Sequence, residues 1–463
     1  MKQTNIDNFD LSNVKKIHFM GIGGISMSGL AEIVITRGFL VSGSDSHKSA
    51  ITERLSNMGA DISYEQVAEN ITDDIDLVVY TAAIHPDNPE FAAAVSKNIP
   101  VMVRADFLGY IMKQYKTAIA VSGTHGKTTV TSMVSHILLA AETDPTIMVG
   151  GILPAINGNI RIGKAETFVT EACEYTNSFL SFFPTMEIIL NVAEDHMDFF
   201  KDLDDIRNSF RRFAEILPEH GTLIINGDIE NHQYFYNNLP CKVITFGHDS
   251  SNTLSAQNIT YDDFARGSFD LIYKGEIIDR IKLSVPGEHN VYNSLSAIAA
   301  GMELGISLPI IKKGLESFTG TDRRLQIKGE FDGITVIDDY AHHPDEIKTT
   351  LDTIGKYPRR KMWCIFQPHT FTRTKAFMKE FAETLSHADN IILAEIYPAR
   401  ETDNLGISSQ TLQEEIKALG KECYYFPTFE EIENFIKKSC SQGDIVLTMG
   451  AGDVVNIGEN LLK

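Results

Sequence analysis

The sequence predicts an α/β protein of three domains, each built on a largely parallel, doubly wound sheet. Three observations carry that expectation. The chain has 463 residues, which at roughly 150 residues per domain suggests about three domains. Short β-branched and apolar runs alternate with helix-period segments from residue 15 onward, the pattern of βαβ units. Apolar residues make up 43% and charged residues 22%, close to the average for water-soluble globular proteins.

Taken in order, "KKIHFMGIGG" reads as a strand entering a glycine turn, "MSGLAEIVITRG" as the helix after it, and "FLVSGSD" as the next strand. "IDLVVYTAA" is a strand before a helix that starts near Pro89; Val101 to Val103 and the helical "RADFLGYIMKQY" close the series. A boundary near residue 110 therefore gives an N-terminal domain of 1–110. "TAIAVSGTHGKTT" begins a second series that continues through "TFVTEAC", "MEIILNVAEDH", "GTLIINGD" and "CKVITFG". A polar, β-rich stretch around 250–285 and helices near 290–304 and 309–318 complete a central domain of 111–323. After the turn-rich "TGTDRR", strands in "ITVIDDYAHHP", "KMWCIFQPH", "NIILAEI" and "DIVLTMGAGD" alternate with helices, forming a third domain over 324–463.

Composition narrows the function classes. No apolar run approaches the roughly 18 residues of a membrane span, and "MKQTNIDNFD" lacks a secretory signal's apolar stretch, so a cytoplasmic location with no membrane partner is expected. The five cysteines, Cys173, Cys241, Cys364, Cys423 and Cys440, are scattered without CxxC spacing, which suggests neither a disulfide framework nor a zinc site. A net charge of -21 opposes binding to nucleic acid. An anionic small ligand would need cations assembled locally.

The stretch Gly123-Thr124-His125-Gly126-Lys127-Thr128-Thr129 follows a strand-like run and enters a helix expected from Lys127 to about Ala140. It is a phosphate loop in compact form, because only Thr124 and His125 separate its glycines where four residues are usual. Backbone N–H groups at the helix start favour an anion. Lys127 can neutralise outer phosphates, and the Thr128 hydroxyl is placed for Mg2+. An ordinary strand-turn-helix corner is the plain alternative.

Other candidates stand at strand ends, where open α/β sheets bind ligands. Glu171 and Glu174 follow "TFVT", and Asn191, Asp195 and His196 follow "EIIL"; one carboxylate and one imidazole suffice for Mg2+, which keeps several waters. Asn290 and Asn293 lie three apart at a helix start, where they can meet a base edge or merely cap the helix. Arg323 and Arg324 suit phosphate or carboxylate. Asp338, Asp339, His342 and His343 precede a Pro-started helix, and His369 and Arg373 end the next strand. The N-terminal Gly21, Gly23 and Gly24, with Asp45 after the second strand, form a turn for a nucleotide diphosphate and its ribose rather than a full dinucleotide fingerprint.

In this order, "GIGGISMSGLA", "SGTHGKTT", "NVAEDHMD", "PGEHNVYN", "RRLQ", "DDYAHHPDE", "QPHTFTRT" and "MGAGD" resemble the Mur ligase family over nearly the whole chain. They resemble in particular its branch that adds L-alanine to UDP-N-acetylmuramate. The resemblance implies Rossmann-like N- and C-terminal domains around a central P-loop ATPase domain. It also implies an ATP-dependent ligase of peptidoglycan precursor synthesis that works through an acyl phosphate as a monomer or homodimer. Position by position, it implies that Gly123 to Thr129, Asn290, Asn293 and Arg324 bind ATP and that Thr128, Glu171 and His196 hold Mg2+. Gly21, Gly23, Gly24, Asp45 and His125 would contact the UDP-sugar. His342, His369 and Arg373 would receive the amino acid, and Lys127, His125, His343 and Arg373 would serve catalysis.

The chain departs from the family pattern at Thr370, where an arginine is expected, and at Phe371, where a tyrosine is common. These departures place more weight on Arg373. They also keep open a family member that joins UDP-N-acetylmuramate to a recycled tripeptide; a nucleotide-switch ATPase is a separate alternative of a different class.

Overall fold

The computed structural model describes residues 9–81, 84–197, 199–399 and 401–463. The two alanines that end "IDLVVYTAA" and residues 1–8 lie outside them. Its α/β architecture has three domains with mostly parallel sheets, and the chain divides into two compact units, one of 1–255 with 295–314 and one of 256–294 with 315–463.

The first unit opens with β1 (Lys16–Met20), α1 (Ile25–Thr36), β2 (Leu40–Ser44), α2 (Ala50–Asn57), β3 (Asp61–Ser63), β4 (Leu77–Tyr80), α3 (Pro89–Ser96), β5 (Val101–Val103) and α4 (Arg104–Met112). The strands pair in parallel in the order β3-β2-β1-β4-β5. The helix expected near Pro89 begins there because Asn88 accepts the N–H groups of Glu90 and Phe91 and Pro89 occupies the first turn.

A second sheet follows: β6 (Thr117–Ser122), α5 (Lys127–Ala140), β7 (Thr146–Leu153), β8 (Gly158–Arg161), β9 (Thr167–Glu171), β10 (Met186–Ile189), α6 (Leu203–Ala214), β11 (Thr222–Asn226) and β12 (Lys242–Gly247). Its order is β12-β11-β10-β6-β9-β7-β8, parallel except for the β7–β8 pair. The helix read from Lys127 to about Ala140 has those bounds. Helix α6 illustrates local control: Asp202 caps it, Asp204 and Asp205 sit in its first turn, and Arg211 and Arg212 in its last, charges that complement the helix dipole. Its apolar face buries Phe210 and Phe213 against Phe179.

Strand β13 (Leu254–Tyr261) crosses from the first unit into the second, where β14 (Arg266–Tyr273) and β15 (Glu276–Pro286) form an antiparallel hairpin. The polar stretch of 250–285 is therefore this β region. Helix α7 (Glu288–Glu303) returns to the first unit, and α8 (Leu308–Ser317) follows. The remainder is β16 (Gln326–Phe331), β17 (Ile334–Asp339), α9 (Pro344–Ile354), β18 (Met362–Phe366), α10 (Phe371–Ala376), α11 (Met378–Leu385), β19 (Asn390–Leu393), α12 (Ser409–Ala418), β20 (Cys423–Tyr425), α13 (Phe429–Ser439), β21 (Ile445–Met449) and α14 (Val455–Leu461). Strand order is β16-β17-β21-β18-β19-β20, parallel except for β16. No described helix is long and apolar enough to cross a membrane.

Candidate active site

In the first unit, the strand order places the polar strand ends side by side. β6, which feeds the phosphate loop, lies between β9 and β10. The hydroxyl of Thr128, the carboxylate of Glu171 and the imidazole of His196 therefore follow three adjacent parallel strands at their C-terminal ends, the ligand-binding edge of such sheets.

The loop's shortness has a structural counterpart in Asn191, just beyond β10. Its Oδ1 accepts the His125 N–H at 2.8 Å and its Nδ2 donates to the His125 carbonyl at 3.0 Å. Thr124 N–H donates to the Asn191 carbonyl at 3.2 Å, and Ala193 N–H donates to Thr124 Oγ1 at 2.9 Å. The loop is thus clasped to the neighbouring strand end. Gly123, at φ +142°, would place an added Cβ 2.9 Å from the Leu190 Cβ, so no larger residue fits. Gly126, at φ +86°, caps α5 without a side-chain bond, leaving first-turn N–H groups for an anion.

Lys127 reaches across the loop. Its Nζ lies 3.1 and 3.3 Å from the two oxygens of Glu174 and donates to the Thr124 carbonyl at 3.1 Å. Burial works against the ammonium, but the Glu174 carboxylate outweighs it and holds the lysine's pKa above its ordinary value. A cation is thus held at the loop by an internal carboxylate.

Glu171 accepts the Gly150 N–H at 2.6 Å through Oε1, which fixes its carboxylate at the sheet edge. His196 adopts φ +54°. Asp195 accepts its N–H at 2.7 Å, and the imidazole stacks on Tyr175 with centroids 4.4 Å apart. Sequence reading missed Tyr175, which has no motif of its own beyond its position one residue after Glu174. Hydroxyl, carboxylate and imidazole form a donor set compatible with a hard divalent cation.

In the N-terminal glycine turn, Gly23 N–H donates to Asp45 Oδ2 at 2.8 Å, and the other oxygen accepts the His47 N–H at 3.2 Å. Asp45 thus braces the turn. Gly24 caps α1 without a side-chain bond. Beneath the turn lies a network that sequence reading missed. Glu90, fully buried, accepts from Ser44 Oγ and Asn70 Nδ2, both at 2.6 Å. His18 Nδ1 lies 3.0 Å from Ser42 Oγ. The Ser44 carbonyl in turn accepts the N–H groups of Gly21 and Ile22. In sequence, Glu90 signals only an acidic first turn.

In the second unit, the neighbouring arginines have different tasks. Arg323 donates from Nε to Asp338 at 3.0 Å, from Nη1 to the Gly452 carbonyl at 3.0 Å and from Nη2 to the Gly450 carbonyl at 2.7 Å. It fastens β17 to the segment after β21. Both guanidiniums lie over the Tyr340 ring, Arg323 at 4.9 Å and Arg324 at 5.4 Å from its centroid. Burial pushes Asp339 up to about 6, while Arg324 and the N–H groups of Leu325 and Ala341 favour its charged form and limit the rise. Asn290 donates to the Pro286 carbonyl at 2.6 Å, and Asn293 donates to Asn290 Oδ1 at 3.1 Å. Here they also stabilise the start of α7.

The histidines and Arg373 converge. His342 and His369 have ring centroids 5.9 Å apart, His369 stacks on Tyr397 at 5.6 Å, and Arg373 Nη1 lies 3.3 Å from His369 Nδ1. His343 instead caps α9 through the Asp345 N–H and packs against Phe377. Thr370, the departure from the expected arginine, has φ +66° and accepts the Arg373 N–H at 3.3 Å. It therefore sets up the short helix that carries Arg373.

Burial lowers His369 to about 4, helped by the neighbouring His342 and Arg373. Between about pH 6.5 and about pH 4 the unfolded chain takes up a proton that the folded site refuses. Stability from the neutral ring is full above the unfolded value and falls as pH drops toward the folded one. His369→Gln should narrow the gap between urea midpoints measured at about pH 7.5 and about pH 5. An unchanged gap would show that the ring titrates normally.

Three family descriptions match in succession: Mur ligase family, catalytic domain, over residues 16–116; Mur ligase middle domain over 121–301; and Mur ligase, glutamate ligase domain over 323–452. A UDP-N-acetylmuramate--L-alanine ligase from Lachnospira eligens is 60% identical over 455 residues, 98% of this chain and 99% of that protein. The crystal structure of UDP-N-acetylmuramate-alanine ligase from Thermotoga maritima is 32% identical, with TM-score 0.82 and coverage of 96% of this chain and 98% of that one. A murein peptide ligase from Psychrobacter arcticus, 24% identical, shares the fold with TM-score 0.73 over 97% of this chain and 98% of that one. With the clasped phosphate loop and the strand-end donors already described, these similarities lead to one conclusion: the chain belongs to the Mur ligase family.

Proposed function

We propose that the protein is a cytoplasmic, ATP-dependent ligase that joins L-alanine to the carboxylate of UDP-N-acetylmuramate in peptidoglycan precursor synthesis. The observation that carries this reading is the adjacency of β9, β6 and β10, which brings Glu171, the Lys127–Thr128 loop and His196 to one sheet edge. The relative at 60% identity, a UDP-N-acetylmuramate--L-alanine ligase, supports the choice of substrates.

An amide does not form readily from a carboxylate and an amine in water. When bound, ATP supplies the phosphoryl group that makes the carboxylate an acyl phosphate, and Mg2+ offsets phosphate charge. Thr128, Glu171 and His196 would hold that ion. The backbone of Gly123 to Thr129 cradles the phosphates, with Asn191 maintaining the loop's shape. Lys127 exchanges Glu174 for an outer phosphate oxygen. Arg373 receives the amino acid's carboxylate. His369, kept neutral by burial, offers a hydrogen bond without repelling an incoming ammonium group. Gly21 to Gly24 and Asp45 hold the UDP-sugar, and His125 would reach it from the phosphate loop.

Phosphate release decides the substrate. Release with UDP-N-acetylmuramate and L-alanine, at a kcat/KM at least about a hundredfold above that with a tripeptide, supports this reading; a ratio of 10² corresponds to about 2.7 kcal/mol at the transition state. Preference for the tripeptide would identify a recycling ligase, for which Thr370 is the motivating departure. Full turnover without any UDP-sugar would instead identify a nucleotide-switch ATPase.

A further inference from the structure

Two partly buried arginines, Arg323 and Arg104, differ in a way that points to a ligand. Arg323 has a spent fork, bonded to a carboxylate and two carbonyls. Arg104, the first residue of α4, is half-buried, yet among the described residues its hydrogen bond goes to one neutral hydroxyl, Ser26 Oγ, at 2.9 Å. No carboxylate pairs with it among those residues, and burial pulls its pKa below the ordinary arginine value. A guanidinium has five donors and does not lose its proton in proteins, so partial burial with one hydroxyl leaves much of its hydrogen-bonding capacity unused.

Its surroundings favour an anion. Ser26 is the second residue of α1, whose N-terminus has no side-chain cap and follows the Gly21–Gly24 turn. The guanidinium also feels Cys173, the residue before Glu174, which holds Lys127. Arg104 thus couples to the helix that follows the glycine turn through Ser26 and to the segment beside the phosphate-loop lysine through Cys173. A ligand reaching from one to the other must carry negative charge at the turn and present a carboxylate for activation.

We infer that Arg104 is a binding residue for the sugar nucleotide, donating to an anionic oxygen of its diphosphate or of its sugar-linked carboxylate. This rests on reading the glycine turn as the UDP-sugar site. Planar, bidentate donation suits both groups.

Calorimetric titration of the full-length protein tests the inference with UDP-N-acetylmuramate, UDP-N-acetylglucosamine, which lacks the lactyl carboxylate, and UDP. Arg104→Gln should weaken UDP-N-acetylmuramate at least about tenfold, the loss expected when a charge-assisted contact disappears, while binding of a non-hydrolysable ATP analogue stays within about twofold. Arg104→Lys should recover part of the loss. A deficit shared by all three ligands places the contact at the diphosphate, and one confined to UDP-N-acetylmuramate places it at the carboxylate. Wild-type affinity in a folded Arg104→Gln protein, or an equal loss for the ATP analogue in both variants, would overturn the inference. If the parent protein binds none of the three ligands, the sugar-nucleotide reading itself fails.

Discussion

Lys127→Ala should turn over at least about a hundredfold more slowly than the parent, since removing one preorganised electrostatic donor typically costs about 10² to 10³ in rate. The lysine sits at the start of α5, where the uncapped Gly126 already favours an anion. A second consequence follows from Glu174, which is 2% exposed and paired with Lys127 at 3.1 Å. Removing the lysine leaves this carboxylate buried without its cation, a change that typically costs about 3–5 kcal/mol. Adding Glu174→Gln to Lys127→Ala should restore much of the thermal stability but little turnover. Activity near the parent level in folded Lys127→Ala would exclude a role in phosphoryl transfer. Equal recovery of turnover and stability in the double variant would show that the lysine acts only through folding.

The second large effect separates two adjacent arginines. Arg323→Ala should lower stability by about 3–5 kcal/mol, because Asp338 is 0% exposed and would lose the cation bonded to it. The carbonyls of Gly450 and Gly452 would lose donors as well. Arg324→Ala should lower the denaturation midpoint less than Arg323→Ala, because Asp339 keeps the N–H bonds of Leu325 and Ala341, and should reduce turnover, as expected if Arg324 meets phosphate. Paired denaturation and kinetic measurements check both outcomes. Similar stability losses in the two variants would mean that Arg324 is also a fastener.

The sequence carried local features well. Gly126 before Lys127 predicted the start of α5, and Pro89 predicted the start of α3, because turn and first-turn preferences act within a few residues. The alternation of strands and helices predicted parallel sheets for the same reason. The candidate site was partly legible: glycine spacing signalled the phosphate loop, and carboxylates and histidines after strand-like runs signalled sheet-edge chemistry. Its supports were not. Glu90 and Ser44 are 46 residues apart yet meet at 2.6 Å, and Asn191 clasps a loop 66 residues away. No local periodicity encodes such a meeting.

The sequence by itself determined the α/β class, the compact phosphate loop and the order of motifs that resembles the Mur ligases, since each depends on residue type at short spacing. The tertiary structure alone decided which polar groups work together. Arg323 and Arg324 are neighbours in the chain and both lie over Tyr340, but Arg323, at φ +61°, also bonds Asp338 and the carbonyls of Gly450 and Gly452, whereas the charge of Arg324 acts on Asp339. Likewise, only the crossover that inserts β6 between β9 and β10 brings Glu171 and His196 to the two sides of the Lys127 loop. Strand order follows from helices packing onto sheet faces across long separations, and residue spacing alone does not specify it.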